Sequence, residues 1–178
     1  ANLYALYAIK ELQIQLKHPV WVLFGTNEET GFHDLEHYLK VKKPPIMGWT
    51  PDCKYPVVYA ERGRGVYQIK ADINHQKEFN AFVNEYLLSS DDHANKLGLD
   101  IQDDEFGIMQ LRNKKLVDDE GKLVFEFSLS YPAVITNEEI LKQIRSKLSD
   151  HLELTCTSNY DPVRFEKEFL LCQTLKET

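Results

Sequence analysis

Val20-Trp21-Val22-Leu23-Phe24 runs straight into Gly25-Thr26-Asn27-Glu28-Glu29-Thr30-Gly31. Proline at position 19 closes whatever precedes it, and five consecutive apolar residues then predict a short strand buried on both faces. The strand empties into a loop carrying two adjacent carboxylates, Glu28 and Glu29. Loops at strand ends are where chemistry collects. A third acid, Asp52, stands twenty-three residues after Glu29, in Thr50-Pro51-Asp52-Cys53 at the end of another short apolar segment. Three acids so placed point to a metal site.

Outward from this stretch the pattern is α/β. Residues 2–17 carry Leu3, Tyr4, Leu6, Tyr7, Ile9 and Leu12 at helical spacing. Residues 32–41 predict a second helix with Phe32, Leu35 and Leu39 inward, closed by Lys42-Lys43-Pro44-Pro45. Tyr55–Ala60 reads as a strand, and Gly63 and Gly65 read as a boundary turn. Beyond them, 66–73 alternates as a strand and 76–88 is helical. Strands over 106–117 and 122–130 meet in a hairpin at Asp118-Asp119-Glu120-Gly121. A helix over 137–148 is capped by Thr136 with Glu139 as its box partner, and 152–156 is a last strand. The order from 66 to 156 is β-α-β-β-α-β, the split ferredoxin-like unit. Pro162 reads as the first position of a closing helix, with Asp161 as its cap.

Composition bounds the function. Of 178 residues, 43% are apolar and 28% charged, which is ordinary for a folded globular chain. A net charge of -7 argues against a nucleic-acid surface, which needs excess Lys and Arg. The apolar runs fall short of the roughly 20 residues that span a bilayer, so no membrane partner is expected. Cys53, Cys156 and Cys172 show no paired spacing, as in a reducing, cytoplasmic compartment, and read as structural thiols. Ala1-Asn2 leads directly into a helical pattern, as in a piece of a longer protein.

An apolar strand into G-T-N-E-E-T-G, a Pro-Asp pair, and a Gly-containing switch into β-α-β-β-α-β resemble the di-zinc metallopeptidase family of aminoacylase, carnosinase and desuccinylase. Within it the bacterial PepV-type dipeptidases are the nearest group, and Ser130-Tyr131-Pro132 and the helix from Pro162 fall at matching places. The resemblance implies two zinc ions, Glu28 as general base on metal-bound water, and Glu29 and Asp52 as zinc ligands. It further implies hydrolysis of a dipeptide or N-acyl amino acid, and a catalytic-domain segment over 1–64. A ferredoxin-like lid or dimerisation domain would then occupy 65–157, with a returning helix over 158–178.

Departures from the pattern are specific. None of His18, His33, His37, His75, His93 and His151 lies in the family's His-x-Asp motif, and Ser130 stands where the dipeptidases have a substrate-binding Arg. No Gly-x-His supplies the lid histidine, and the insert is short. The chain is accordingly expected to be a truncated or reduced member, inactive alone. A non-catalytic relative that uses the ferredoxin-like unit for homo-oligomeric association is the alternative. His33-Asp34-Leu35-Glu36-His37 also matches the zinc pattern H-x-x-E-H, but on a polar helix face it reads as solvated surface.

Overall fold

The computed structural model describes residues 2–52, 57–119 and 121–177. It divides into two compact units, Ala1–Pro51 and Asp52–Thr178. Helices and antiparallel strands are mixed, and no described helix is long and apolar enough to cross a membrane.

Unit 1 holds α1 (Asn2–Glu11) and α2 (His33–Val41). α1 stops at Glu11, short of the expected 17, where Gln13 takes a left-handed φ of 50°. The expected strand over 20–24 does not form. A strand buried on both faces needs a neighbour on either side to satisfy its N–H and C=O groups, and unit 1 contains no other strand among its described residues. No described side chain of unit 1 is buried. Phe32, which caps the start of α2, and Leu35 and Leu39 on it, all expected inward, are exposed.

Unit 2 opens with β1 (Ala60–Glu61) and β2 (Gly63–Asp72), then α3 (Gln76–Phe82), which passes into a π-helical turn over Val83–Leu88. Cys53 and the first part of the expected strand over 55–60 lie outside the described residues. A small ribbon of β3 (Gln102–Asp103) and β4 (Gly107–Ile108) precedes the hairpin of β5 (Gln110–Asp119) and β6 (Lys122–Tyr131). α4 (Asn137–Arg145), β7 (Glu153–Tyr160), β8 (Val163–Arg164) and α5 (Leu170–Glu177) complete the chain. Four strands form one antiparallel sheet in the order β5-β6-β2-β7, with α3 following β2 and α4 following β6.

The sheet's buried face explains the sequence that makes it. Along β2, Tyr67, Ile69 and Ala71 alternate inward and meet Phe127 and Leu129 of β6, Phe79 and Phe82 of α3, and Ile140 and Ile144 of α4 in one core. Gly63 and Gly65, expected as a turn, lie inside β2 at inward positions. A Cβ at Gly65 would sit 2.2 Å from the Tyr67 hydroxyl, and one at Gly63 would sit 2.5 Å from the Tyr131 ring. These glycines leave room for two buried tyrosines rather than reversing the chain. Tyr67 donates to Asn137 Oδ1 at 2.7 Å, which ties β2 to the start of α4, and Tyr131 donates to Asn159 Oδ1 at 2.7 Å. Burial pushes both phenols up, Tyr131 to about 12.

The closing segment departs from expectation. Val163–Arg164 is strand β8, paired with β1, so Pro162 starts no helix, and the helix begins only at Leu170. Asp161 accepts from Asn159 Nδ2 at 2.8 Å instead of capping a helix. A proline ahead of a β-branched residue suits extended backbone, and Phe165 N–H donates to Tyr59 C=O at 2.7 Å to continue that pairing.

Candidate functional site

Glu28 and Glu29 begin a single 3-10 turn, Glu28–Thr30, and both are exposed. Polar bonds, rather than burial, fix this loop. Asn27 is its hub: its C=O accepts from Phe32 N–H at 2.9 Å, its Oδ1 accepts from His33 N–H at 2.8 Å, and its Nδ2 donates to Thr30 Oγ1. Gly31 and Phe32 leave the turn with φ of 108° and 58°. Asp34, in the first turn of α2, reaches back to accept from the N–H groups of Thr26 and Asn27, and also from Leu35 N–H at 2.8 Å. The Thr26 amide is the main cause holding its carboxyl below the usual aspartate value. Glycine at 25 permits this approach, since a Cβ there would meet Asp34 Oδ2 at 3.1 Å. The loop therefore presents Glu28 and Glu29 outward on a framework of backbone and side-chain bonds among seven residues, Thr26, Asn27, Thr30, Phe32, His33, Asp34 and Leu35.

Asp52 is exposed and belongs to unit 2, so the two acids of the loop and the third acid fall in different units. Ser130 lies on β6, half-buried, directly across from Arg64 on β2 and Gln110 on β5. Arg64 lines a shallow groove there with Asn113, Lys115, Glu126 and Ser128. In the H-x-x-E-H run, His33 Nδ1 lies 3.4 Å from Glu36 and both side chains are largely exposed, a surface contact worth little.

Among the described residues, the metal-capable side chains brought together are three others: His75, Glu78 and His151, whose ligand atoms lie within 4.8 Å of one another. His75 is the residue before α3, Glu78 lies in the first turn of α3, and His151 sits just ahead of β7. His151 Nδ1 is 3.1 Å from both Glu78 oxygens, and His75 Nδ1 is 3.6 Å from Oε1. Ser149 Oγ donates to Glu78 Oε2 at 2.6 Å and is the leading cause holding that carboxyl below its usual range. The two imidazoles stack with centroids 4.0 Å apart. Sequence reasoning passed over this group because Glu78 and His151 are 73 residues apart. The i, i+3 spacing of His75 and Glu78 was its one local signal.

No family model matches the chain. Over 63 residues, 35% of this chain and 14% of the relative, it is 38% identical to YtjP of Bacillus subtilis, assigned by name as a dipeptidase. Over 83 residues, 44% of this chain and 18% of the relative, it is 26% identical to the Staphylococcus saprophyticus protein SSP1012, assigned in the same way. The matched stretch thus covers less than a fifth of the length of either relative. A crystal structure of an amidase of the hydantoinase/carbamoylase family from Burkholderia vietnamiensis aligns with 61% of the chain and 30% of its own, at TM-score 0.39 and 14% identity. Part of the chain is therefore similar in sequence to proteins named as dipeptidases.

Proposed function

We propose that this chain is a portion of a zinc-dependent dipeptidase or related amidohydrolase that cleaves a dipeptide or N-acyl amino acid in the cytoplasm. The similarity to YtjP over 63 residues carries the reading. Glu28 would take the proton of the attacking water, and Glu29 and Asp52 would each offer a carboxylate oxygen to zinc, which when bound would make that water more acidic. The loop geometry supports this division. Two neighbouring carboxylates held outward by Asn27 and Asp34 are free to act differently, one on a proton and one on an ion. The antiparallel order β5-β6-β2-β7 supports a ferredoxin-like lid over 65–157, flanked by catalytic-domain segments over 1–64 and 158–178.

Glu29 and Asp52 do not by themselves fit a two-zinc centre. Zinc at a catalytic site takes three protein ligands, commonly with imidazole among them, and this donor set is two carboxylates. Glu28, Glu29, Asp52 and the lid are thus this chain's share of a site built with further ligands. The test is hydrolysis of a dipeptide panel by the full gene product, with Glu28→Gln beside it. Turnover that falls about a hundredfold or more in the variant is expected of a lost general base; a metal-loaded gene product that hydrolyses none of the panel overturns the reading.

One observation favours a second reading, association without catalysis. β5 and β7 are the two edges of the sheet and have no outer strand partner among the described residues. Light scattering on the purified chain separates the two: a dimer that a proline in β7 dissolves, without any turnover, belongs to the second.

A further inference from the structure

We infer that His75, Glu78 and His151 form a binding site for one divalent transition-metal ion of the zinc class, separate from Glu28, Glu29 and Asp52. The donor set is two imidazoles and a carboxylate, which with one water makes a four-coordinate site. Imidazole nitrogen selects zinc, cobalt, nickel or copper over magnesium and calcium, which take all-oxygen sets. Bonds of about 2.0–2.1 Å at tetrahedral angles place ligand atoms about 3.3 Å apart. The Nδ1 to Oε1 distances from Glu78, 3.1 Å for His151 and 3.6 Å for His75, bracket that spacing.

The competing account is an ion network that ties the first turn of α3 to the segment ahead of β7. A carboxylate at a helix N-terminus with a hydroxyl donor and one imidazole already satisfies that account. The second imidazole nitrogen, His75 Nδ1 at 3.6 Å from the same carboxylate, is surplus to it and supplies the third donor that an ion requires. Ser149 plays the supporting part: its hydroxyl fixes the Glu78 carboxylate in orientation. One rearrangement accompanies binding. An ion lies in the plane of each imidazole that holds it, whereas the rings stack at an interplanar angle of 11°. They turn apart about their Cβ–Cγ bonds, and side-chain exposures of 34% and 53% leave room for this.

The test titrates the full chain with Zn²⁺ alone by calorimetry and with Co²⁺ by visible absorption. It is done in a Glu28→Gln, Glu29→Gln, Asp52→Asn background, so that metal at the proposed hydrolytic site does not contribute. Expected are one saturable equivalent and tetrahedral Co²⁺ bands. Zn²⁺ affinity should weaken about tenfold or more in His151→Gln and Glu78→Gln, and by about tenfold in Ser149→Ala. Imidazole NMR signals of His75 and His151 should shift together on loading. No saturable binding in that background, or unchanged binding in a His75→Gln, His151→Gln double variant, overturns the proposal while leaving the hydrolase reading untouched.

Discussion

Unit 1 and unit 2 are built from similar residues and are held in different ways. Trp21, Phe24, Leu35 and Ile46 of unit 1 are as apolar as anything in unit 2, yet each is more than a third exposed. Unit 2 buries Tyr67, Phe79, Phe127, Leu129 and Ile140 to within a few per cent. The difference lies in partners rather than composition. β2 is flanked by β6 and β7 and covered by helices, so its inward side chains find neighbours. Among the described residues of their own unit, α1 and α2 have no sheet to cover. What order unit 1 has near Glu28 and Glu29 comes from the polar bonds of Asn27 and Asp34, and these depend on geometry and charge instead of area removed from water.

The largest effect that would break this contrast is a core truncation. Phe127→Ala removes a fully buried ring from the centre of the sheet and is expected to cost about 3–5 kcal/mol in urea denaturation. Leu35→Ala on α2, with 38% of the residue exposed, should stay within about 0.5 kcal/mol. Equal losses at the two sites would show that the apolar face of α2 is buried after all.

A smaller effect sharpens the comparison from the local side. Thr136 accepts from Glu139 N–H at 3.2 Å, and Glu139 accepts from Thr136 N–H at 2.8 Å, so Thr136→Ala should cost unit 2 about 1 kcal/mol, read as a shift in the denaturation midpoint. This box was legible in the sequence because all its partners lie within four residues. The alternation of β2 and the helices α3 and α4 were legible for the same reason: each is a short-period pattern whose partners exist in the same unit. The strand over 20–24 carried an equally strong apolar run and failed, because a run states a need for neighbours and cannot supply them. Gly63 and Gly65 were misread as a turn because room for the Tyr131 and Tyr67 rings is a property of three-dimensional packing. Of the candidate site, the exposed Glu28-Glu29 turn could be read locally. The bond from Asp34 back to Thr26 and the meeting of Glu78 with His151 across 73 residues could not.

The finest test concerns the polar side of the contrast, and its sign follows from Asp34. The amides of Thr26, Asn27 and Leu35 favour its ionised form and lower its pKa in the folded loop. A carboxylate with a depressed folded pKa contributes its full stabilisation above the unfolded value, about 3.9, and loses it as pH falls through the lower, folded one. At neutral pH the Glu28-Glu29 turn is therefore held, and acid releases it. The Thr26 and Asn27 amide signals should titrate with a midpoint below about 3.9, and Asp34→Asn should speed their hydrogen exchange at neutral pH while the unfolding midpoint of unit 2 stays unchanged. Asparagine keeps one acceptor oxygen but loses the charge and the second acceptor, so three amides compete for one group. A midpoint above the ordinary aspartate value, or exchange at Thr26 and Asn27 indifferent to the substitution, would mean that something other than Asp34 positions the two acids. The polar account of unit 1 would then fail at the residues on which the proposed chemistry depends.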